Sequence, residues 1–163
     1  MKTRKSLSVM SGICLTAGSL LYICFRPRSL LMFQLAISIG INQNISLIRG
    51  PTKEISHRLP EWIIYSLPFS LWVVSYMLAI GAAWEGSRSP ARLVWLAIVP
   101  AMSIASEIAQ AVHLIPGSFD WVDLVLLTTG TIIGAILVKA NGGAEYVKQK
   151  NEESSVNRVT HTI

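Results

Sequence analysis

Glu107 to Gly134 reads EIAQAVHLIPGSFDWVDLVLLTTGTIIG. Two apolar helical patterns meet there at Pro116-Gly117-Ser118, a turn signature. On the first pattern Ser103, Glu107, Gln110 and His113 recur at steps of four, three and three, which puts them on one helical face. On the second, Asp120, Asp123, Gly130 and Gly134 share a face by the same rule. A carboxylate inside a long apolar run is expensive to place, and in a membrane segment it marks a functional site by default. The pattern predicts two membrane helices that share a hydrophilic niche near their connecting turn.

Composition supports a membrane setting. The 163 residues are 52% hydrophobic and 14% charged, with a mean hydropathy of +0.50, whereas soluble domains are about 25% charged. A soluble core of this size could not hide so much apolar surface. The length suits a few spans with short loops and leaves no room for a second sizeable domain. The net charge of +5 raises nucleic acid as a partner. The basic residues instead flank apolar runs and form no stripe with stacking aromatics, so no nucleic-acid partner is expected. Cys14 and Cys24 match neither a zinc motif nor a redox pair and read as small apolar side chains.

The predicted fold class is an all-α membrane protein: four transmembrane helices with a short interfacial or re-entrant helix between spans 1 and 2. The spans are placed at 7–25, 62–84, 92–113 and 121–138. Lys2, Arg4 and Lys5 precede the first, which reads as a retained span rather than a cleaved leader. The apolar run at 30–41 is too short to cross ~30 Å of hydrocarbon. Pro68 is tolerable in a first helical turn, and Pro100 predicts a kink. Tyr65, Phe69, Trp72 and Tyr76 form an aromatic stripe that reads as packing or an interface belt. Gly130 and Gly134 allow close approach of another helix. Residues 1–140 make one membrane domain. Asn141-Gly142-Gly143 is expected to stop the last helix, and 141–163 to be a polar, disordered cytoplasmic tail.

Four spans put nine Lys and Arg residues on the side of the N-terminus and five on the other, the latter being Arg26, Arg28, Arg49, Lys53 and Arg58. By the positive-inside rule both termini are then cytoplasmic and the Pro116–Asp120 turn faces out.

Asp120 and Asp123 have two readings. Either caps the start of the last helix or complements its dipole, or both join Glu107 in a pocket. Capping cannot explain Glu107, which lies mid-helix and must be protonated, paired or in contact with a watered cavity. Its candidate partners are Gln110, His113, Arg58 and His57. The spacing of Glu107, His113, Asp120 and Asp123 fits no metal signature, and no Gly-x-Ser-x-Gly elbow is present. No catalytic residue, metal or cofactor is assigned.

Ser106-Glu107-Ile108-Ala109-Gln110, Pro116 to Asp123 and Gly130-x-x-x-Gly134 together resemble the VanZ-like family of small bacterial integral membrane proteins related to teicoplanin resistance. Leu127 stands where family members often carry Asn, and Ser118 where they often carry Arg. The resemblance implies a multi-pass protein of the bacterial inner membrane with an envelope-associated role. The function expected first is an outward acidic pocket of Glu107, Gln110, Asp120, Asp123 and His113 that binds a lipid headgroup or lipid-linked envelope component, with a link to glycopeptide resistance or envelope homeostasis. Two alternatives stand beside it: a metal-dependent hydrolase or transferase acting on a membrane lipid, and a helper subunit that docks a membrane-protein partner on the Gly130/Gly134 face.

Overall fold

The computed structural model describes residues 2–27, 31–38, 58–87 and 89–160, with Gly40, Ile45, Arg49, Thr52 and Ile55 in between. Arg28, Lys53, His57 and Arg88 lie outside the described residues, as do 39 and 41–44 of the expected short helix and 161–163 of the tail. Every regular element among the described residues is an α-helix: α1 (Lys2–Phe25), α2 (Leu31–Ser38), α3 (Glu61–Tyr65), α4 (Leu67–Ala83), α5 (Ala91–Ala111) and α6 (Trp121–Thr160).

Three of these are long and apolar enough to cross a membrane: α1 from Arg4, α5, and α6 as far as Asn141. The expected second span is two helices. Pro68 has no N–H for the Ile64 carbonyl and its ring crowds that carbonyl, so a single helix cannot run straight through. The break falls at Ser66, whose N–H donates to the Trp62 carbonyl at 3.1 Å and whose carbonyl accepts from Ser70 at 3.3 Å. At ~1.5 Å per residue the 17 residues of α4 reach about 25 Å. The last helix departs from expectation too. Its backbone stays helical through Asn141-Gly142-Gly143 to Thr160, since each glycine weakens a helix by only about 1 kcal/mol and does not forbid it.

The short α4 is the centre of the bundle. Its apolar residues go all round, and Val73, Val74, Met77, Leu78 and Ala82 are buried together with Ser70, Ser75 and Gly81. A helix with no polar face has to be covered on several sides. Helix α1 covers one side and runs antiparallel to it: Gly18 lies at Trp72 and Pro68, Ser11 at Ser75, and Leu7 in one cluster with Leu78 and Ala82. Helix α6 covers another and runs parallel, with Gly130 at Ser70, Gly134 at Met77 and Val138 at Gly81. Helix α5 packs more thinly and buries only Pro100 and Glu107. The Tyr76 hydroxyl of α4 reaches the Trp95 carbonyl of α5, beside the Leu96 carbonyl that Pro100 leaves without its helical donor.

Lipid gives helices no hydrophobic reason to associate, so close backbone approach and interhelical hydrogen bonds must do that work. Both are present. A Cβ at Gly134 would lie 2.8 Å from Met77 Sδ, and one at Gly81 would lie 2.7 Å from a Val138 methyl. Ser11 Oγ donates to the Ser75 carbonyl at 2.8 Å, and Ser75 Oγ returns the bond to the Ser11 carbonyl at 2.9 Å. Ser70 Oγ donates to the Leu126 carbonyl of α6 at 2.7 Å. The apolar side chains left exposed, among them Leu93, Val94 and Met102 on α5 and Val125, Ile132 and Ile136 on α6, face where acyl chains would be.

The two glycines differ in what opposes them. A methyl at Gly130 meets the Ser70 hydroxyl and carbonyl, whereas one at Gly134 meets the flexible Met77 thioether. Gly130→Ala is therefore expected to cost about 1–3 kcal/mol by overpacking and by loss of the Ser70 bond. Gly134→Ala should cost less, and Thr129→Ala on the exposed face should change nothing measurable. Thermal unfolding in detergent micelles ranks the three.

Candidate functional site

The site is built where α5 ends and α6 begins. Helix α5 closes with the Leu114 N–H on the Ala109 carbonyl at 2.8 Å and the His113 N–H on the Gln110 carbonyl at 3.0 Å. This six-to-one, five-to-two pair is a Schellman turn, and it requires a left-handed residue after the helix cap. Glycine usually sits there. Here it is His113, at φ +59°. The left-handed turn takes His113 off the face of α5 that carries Glu107 and leaves it exposed. The expected pocket member His113 thus drops out, because the helix has already ended at Ala111.

The turn then folds back over α5. Gly117 is at φ +144°, and a Cβ on it would lie 2.8 Å from Gln110 Cδ. Glycine is needed both for the dihedral and for this approach. Gln110, half-buried, is the floor on which the turn rests. Among the described residues its side chain makes no hydrogen bond to Glu107.

Asp120 caps α6. Its Oδ1 accepts from the Val122 N–H at 2.8 Å, and its carbonyl accepts the first helical bond from Leu124 at 3.2 Å. In a capping box the acid three residues on, here Asp123, would reach back to the capping residue's own N–H. The Glu107 carboxylate of the neighbouring helix lies near that N–H. Glu107 of α5 thus approaches the start of α6 from the neighbouring helix.

Two carboxylate oxygens are left over. Glu107 Oε2 and Asp123 Oδ1 are both buried with no hydrogen-bond partner. Glu107 is only 9% exposed, and Asp120 and Asp123 are close enough for their charges to act on it. Asp123 extends the stripe Leu127, Gly130, Gly134 and Val138 by which α6 packs on α4. With Ser70 bonded to Leu126, the next turn of the parallel helix α4 brings Ser66 toward the level of Asp123. Ser66 is 1% exposed, and its hydroxyl also has no partner. The bundle therefore buries three unsatisfied oxygens on three helical segments at one end.

No described cation answers them. Arg58 is exposed and makes no bond to Glu107, and His57 lies outside the described residues. Nor is there, among the described residues, a group of three or more His, Cys, Asp and Glu side chains placed to hold a metal ion. The glycine face that could have received a second membrane protein is filled by α4 of the same chain.

Arg26 is the residue that sequence reasoning underrated, counting it only among the outer basic residues. Its guanidinium lies over the rings of Tyr22, Tyr65 and Phe69 at 5.7, 4.9 and 5.2 Å and donates to the Tyr65 carbonyl at 2.9 Å. Arg49 in turn donates to the Arg26 carbonyl at 2.7 Å. At this end the aromatic stripe packs on Arg26 and Tyr22, the latter against Phe69 and Trp72, while Tyr65 and Phe69 each keep an exposed edge. The signal was an Arg directly after a span that contains Tyr22, facing a stripe that begins at Tyr65.

No family model, curated protein or solved structure matches the chain.

The turn yields opposite expectations for its two special residues. His113→Gly should leave the fold intact and raise stability by roughly 0.5–1 kcal/mol, because glycine carries no left-handed penalty. Asp120→Ala should lower it by about 1 kcal/mol through loss of the cap. Chemical unfolding in mixed micelles measures both.

Proposed function

We propose that this chain is an integral membrane protein whose pocket of Glu107, Asp123 and Ser66, closed over by Gln110 and Asp120, binds the cationic or hydrogen-bond-donating headgroup of a membrane lipid or lipid-linked envelope component. The observation that carries this reading is the pair of buried, unpartnered carboxylate oxygens Glu107 Oε2 and Asp123 Oδ1. An ionised carboxylate is acceptor-only, and leaving buried acceptors unmade costs about 1–3 kcal/mol each. A ligand bearing N–H or O–H donors would satisfy both at once. In a low-dielectric site its charge would count for far more than in water.

The chain is taken to cross the membrane four times, with α3 and α4 together making the second crossing. In support, α4 lies in register with α1 and α6 from end to end. The ends at Ala83, Ala91 and Lys139 then share a side with Lys2, Arg4 and Lys5, the cytoplasmic side by charge, and the acidic pocket opens outward. Trp62, Tyr65 and Trp121 are exposed at the pocket end, as in an aromatic belt at a membrane–water interface. The motif resemblance adds a bacterial inner-membrane setting, with a role in glycopeptide resistance or envelope homeostasis.

The test uses the purified protein in nanodiscs whose lipid is phosphatidylethanolamine, a primary ammonium headgroup, or phosphatidylcholine, which has no donor. The intact protein should bind the amine lipid in preference, by about tenfold, the worth of one charge-assisted hydrogen bond. Glu107→Gln should erase the preference while the protein still folds. Equal binding of the two lipids by the intact protein, or a preference that survives Glu107→Gln, would refute the reading.

A further inference from the structure

The thin packing of α5 leaves a second feature, at the opposite end from the acids. A groove of about 1000 Å³ runs between α4, α5 and α6. Met77, Leu96, Ala101, Ile104 and Val138 line its length, so its walls are apolar. One end is different: Arg92 of α5 and Lys139 of α6 flank it, with Ser87 and Ser89 from the connecting loop. Arg92 Nε is buried there without a hydrogen-bond partner. Among the described residues the groove lining includes no acid; Glu85 stands two residues before Ser87 in the connecting loop. At ~1.5 Å per residue, Arg92 to Ile104 covers about 18 Å, a little over half of the ~30 Å hydrocarbon thickness. The groove therefore has the length of one leaflet's acyl chain and positive charge where that chain's headgroup would sit.

We infer that this groove is a binding site for an anionic phospholipid, its acyl chain along α5 and its headgroup phosphate held by Arg92 and Lys139. A guanidinium matches phosphate oxygens with two parallel N–H bonds, and the Ser87 and Ser89 hydroxyls can add neutral donors. Basic pockets between membrane helices recognise acidic headgroups by this chemistry. The first N–H groups of α5 are bonded to Ser89 and Pro90, and the positive end of the helix dipole lies at the same place. This site is independent of the acidic pocket: it lies at the other end of α5 and takes the opposite charge.

The experiment measures lipid retained by the full-length protein in native mass spectrometry after exchange into micelles carrying phosphatidylglycerol or phosphatidylcholine. The intact protein should hold phosphatidylglycerol in preference by about tenfold or more, as two lysine- or arginine-type contacts imply. Arg92→Gln with Lys139→Gln should abolish that preference, and Arg92→Lys should restore part of it in the Lys139 background. Ala101→Phe, which fills the groove without touching the cations, should reduce retention of both lipids. Glu107→Gln should leave all of this unchanged. Glycerol phosphate, which lacks the acyl chains, should not displace the bound lipid. Equal retention of the two lipids, an undiminished preference in the double variant, or displacement by glycerol phosphate would overturn the inference.

Discussion

The register between α4 and its two flanking helices is the constraint on which the rest depends. It is set at backbone distance. Gly18 admits the Trp72 indole, Gly130 and Gly134 admit Ser70 and Met77, and Gly81 admits Val138. Serine hydroxyls then lock the levels, with the reciprocal Ser11–Ser75 pair on one side and Ser70 on the Leu126 carbonyl on the other. Each such bond is worth little alone, about 0.6 kcal/mol on average in lipid. Their value is positional. A slip of one turn would put methyl groups where no room exists, and that restriction fixes where Ser66 and Asp123 come to rest.

From this follows a structure with two unlike ends. At the acidic end, Glu107 lies near the helix-start amide of α6, and the bundle is left with oxygens it cannot pair from its own described residues. At the other end, the poor packing of α5 leaves a groove with cations at its mouth. Both features cost stability. Unsatisfied buried carboxylates are among the more expensive things a fold can carry, and such local defects concentrate where function needs them.

Much of the bundle was legible in the sequence. Apolar run lengths locate α1, α5 and the start of α6, and the polar spacing singles out Glu107, which is one of only two residues that α5 buries. Other features were not legible, for identifiable reasons. The left-handed state of His113 is a property of a hydrogen-bonded turn normally announced by glycine. Ser66 is one serine among several in an apolar stretch, and nothing in its spacing marks its burial. Gly130 and Gly134 announced close approach but could not say by whom, and the answer is the chain's own α4. The approach of Glu107 to the Asp120 amide brings a side chain near a backbone group, and sequence patterns say least about backbone donors.

The claim at the centre is that Glu107 and Asp123, on different helices, occupy one hydrophilic niche and disturb each other there. A double-mutant cycle on unfolding free energy in mixed micelles tests it directly, with Glu107→Gln, Asp123→Asn and the pair. Each single neutralisation should raise stability, and the pair should gain less than the sum by at least about 0.5 kcal/mol, the coupling expected of groups in one network. Effects that add to within about 0.3 kcal/mol would mean that the two acids do not share a site, and the pocket would have to be abandoned.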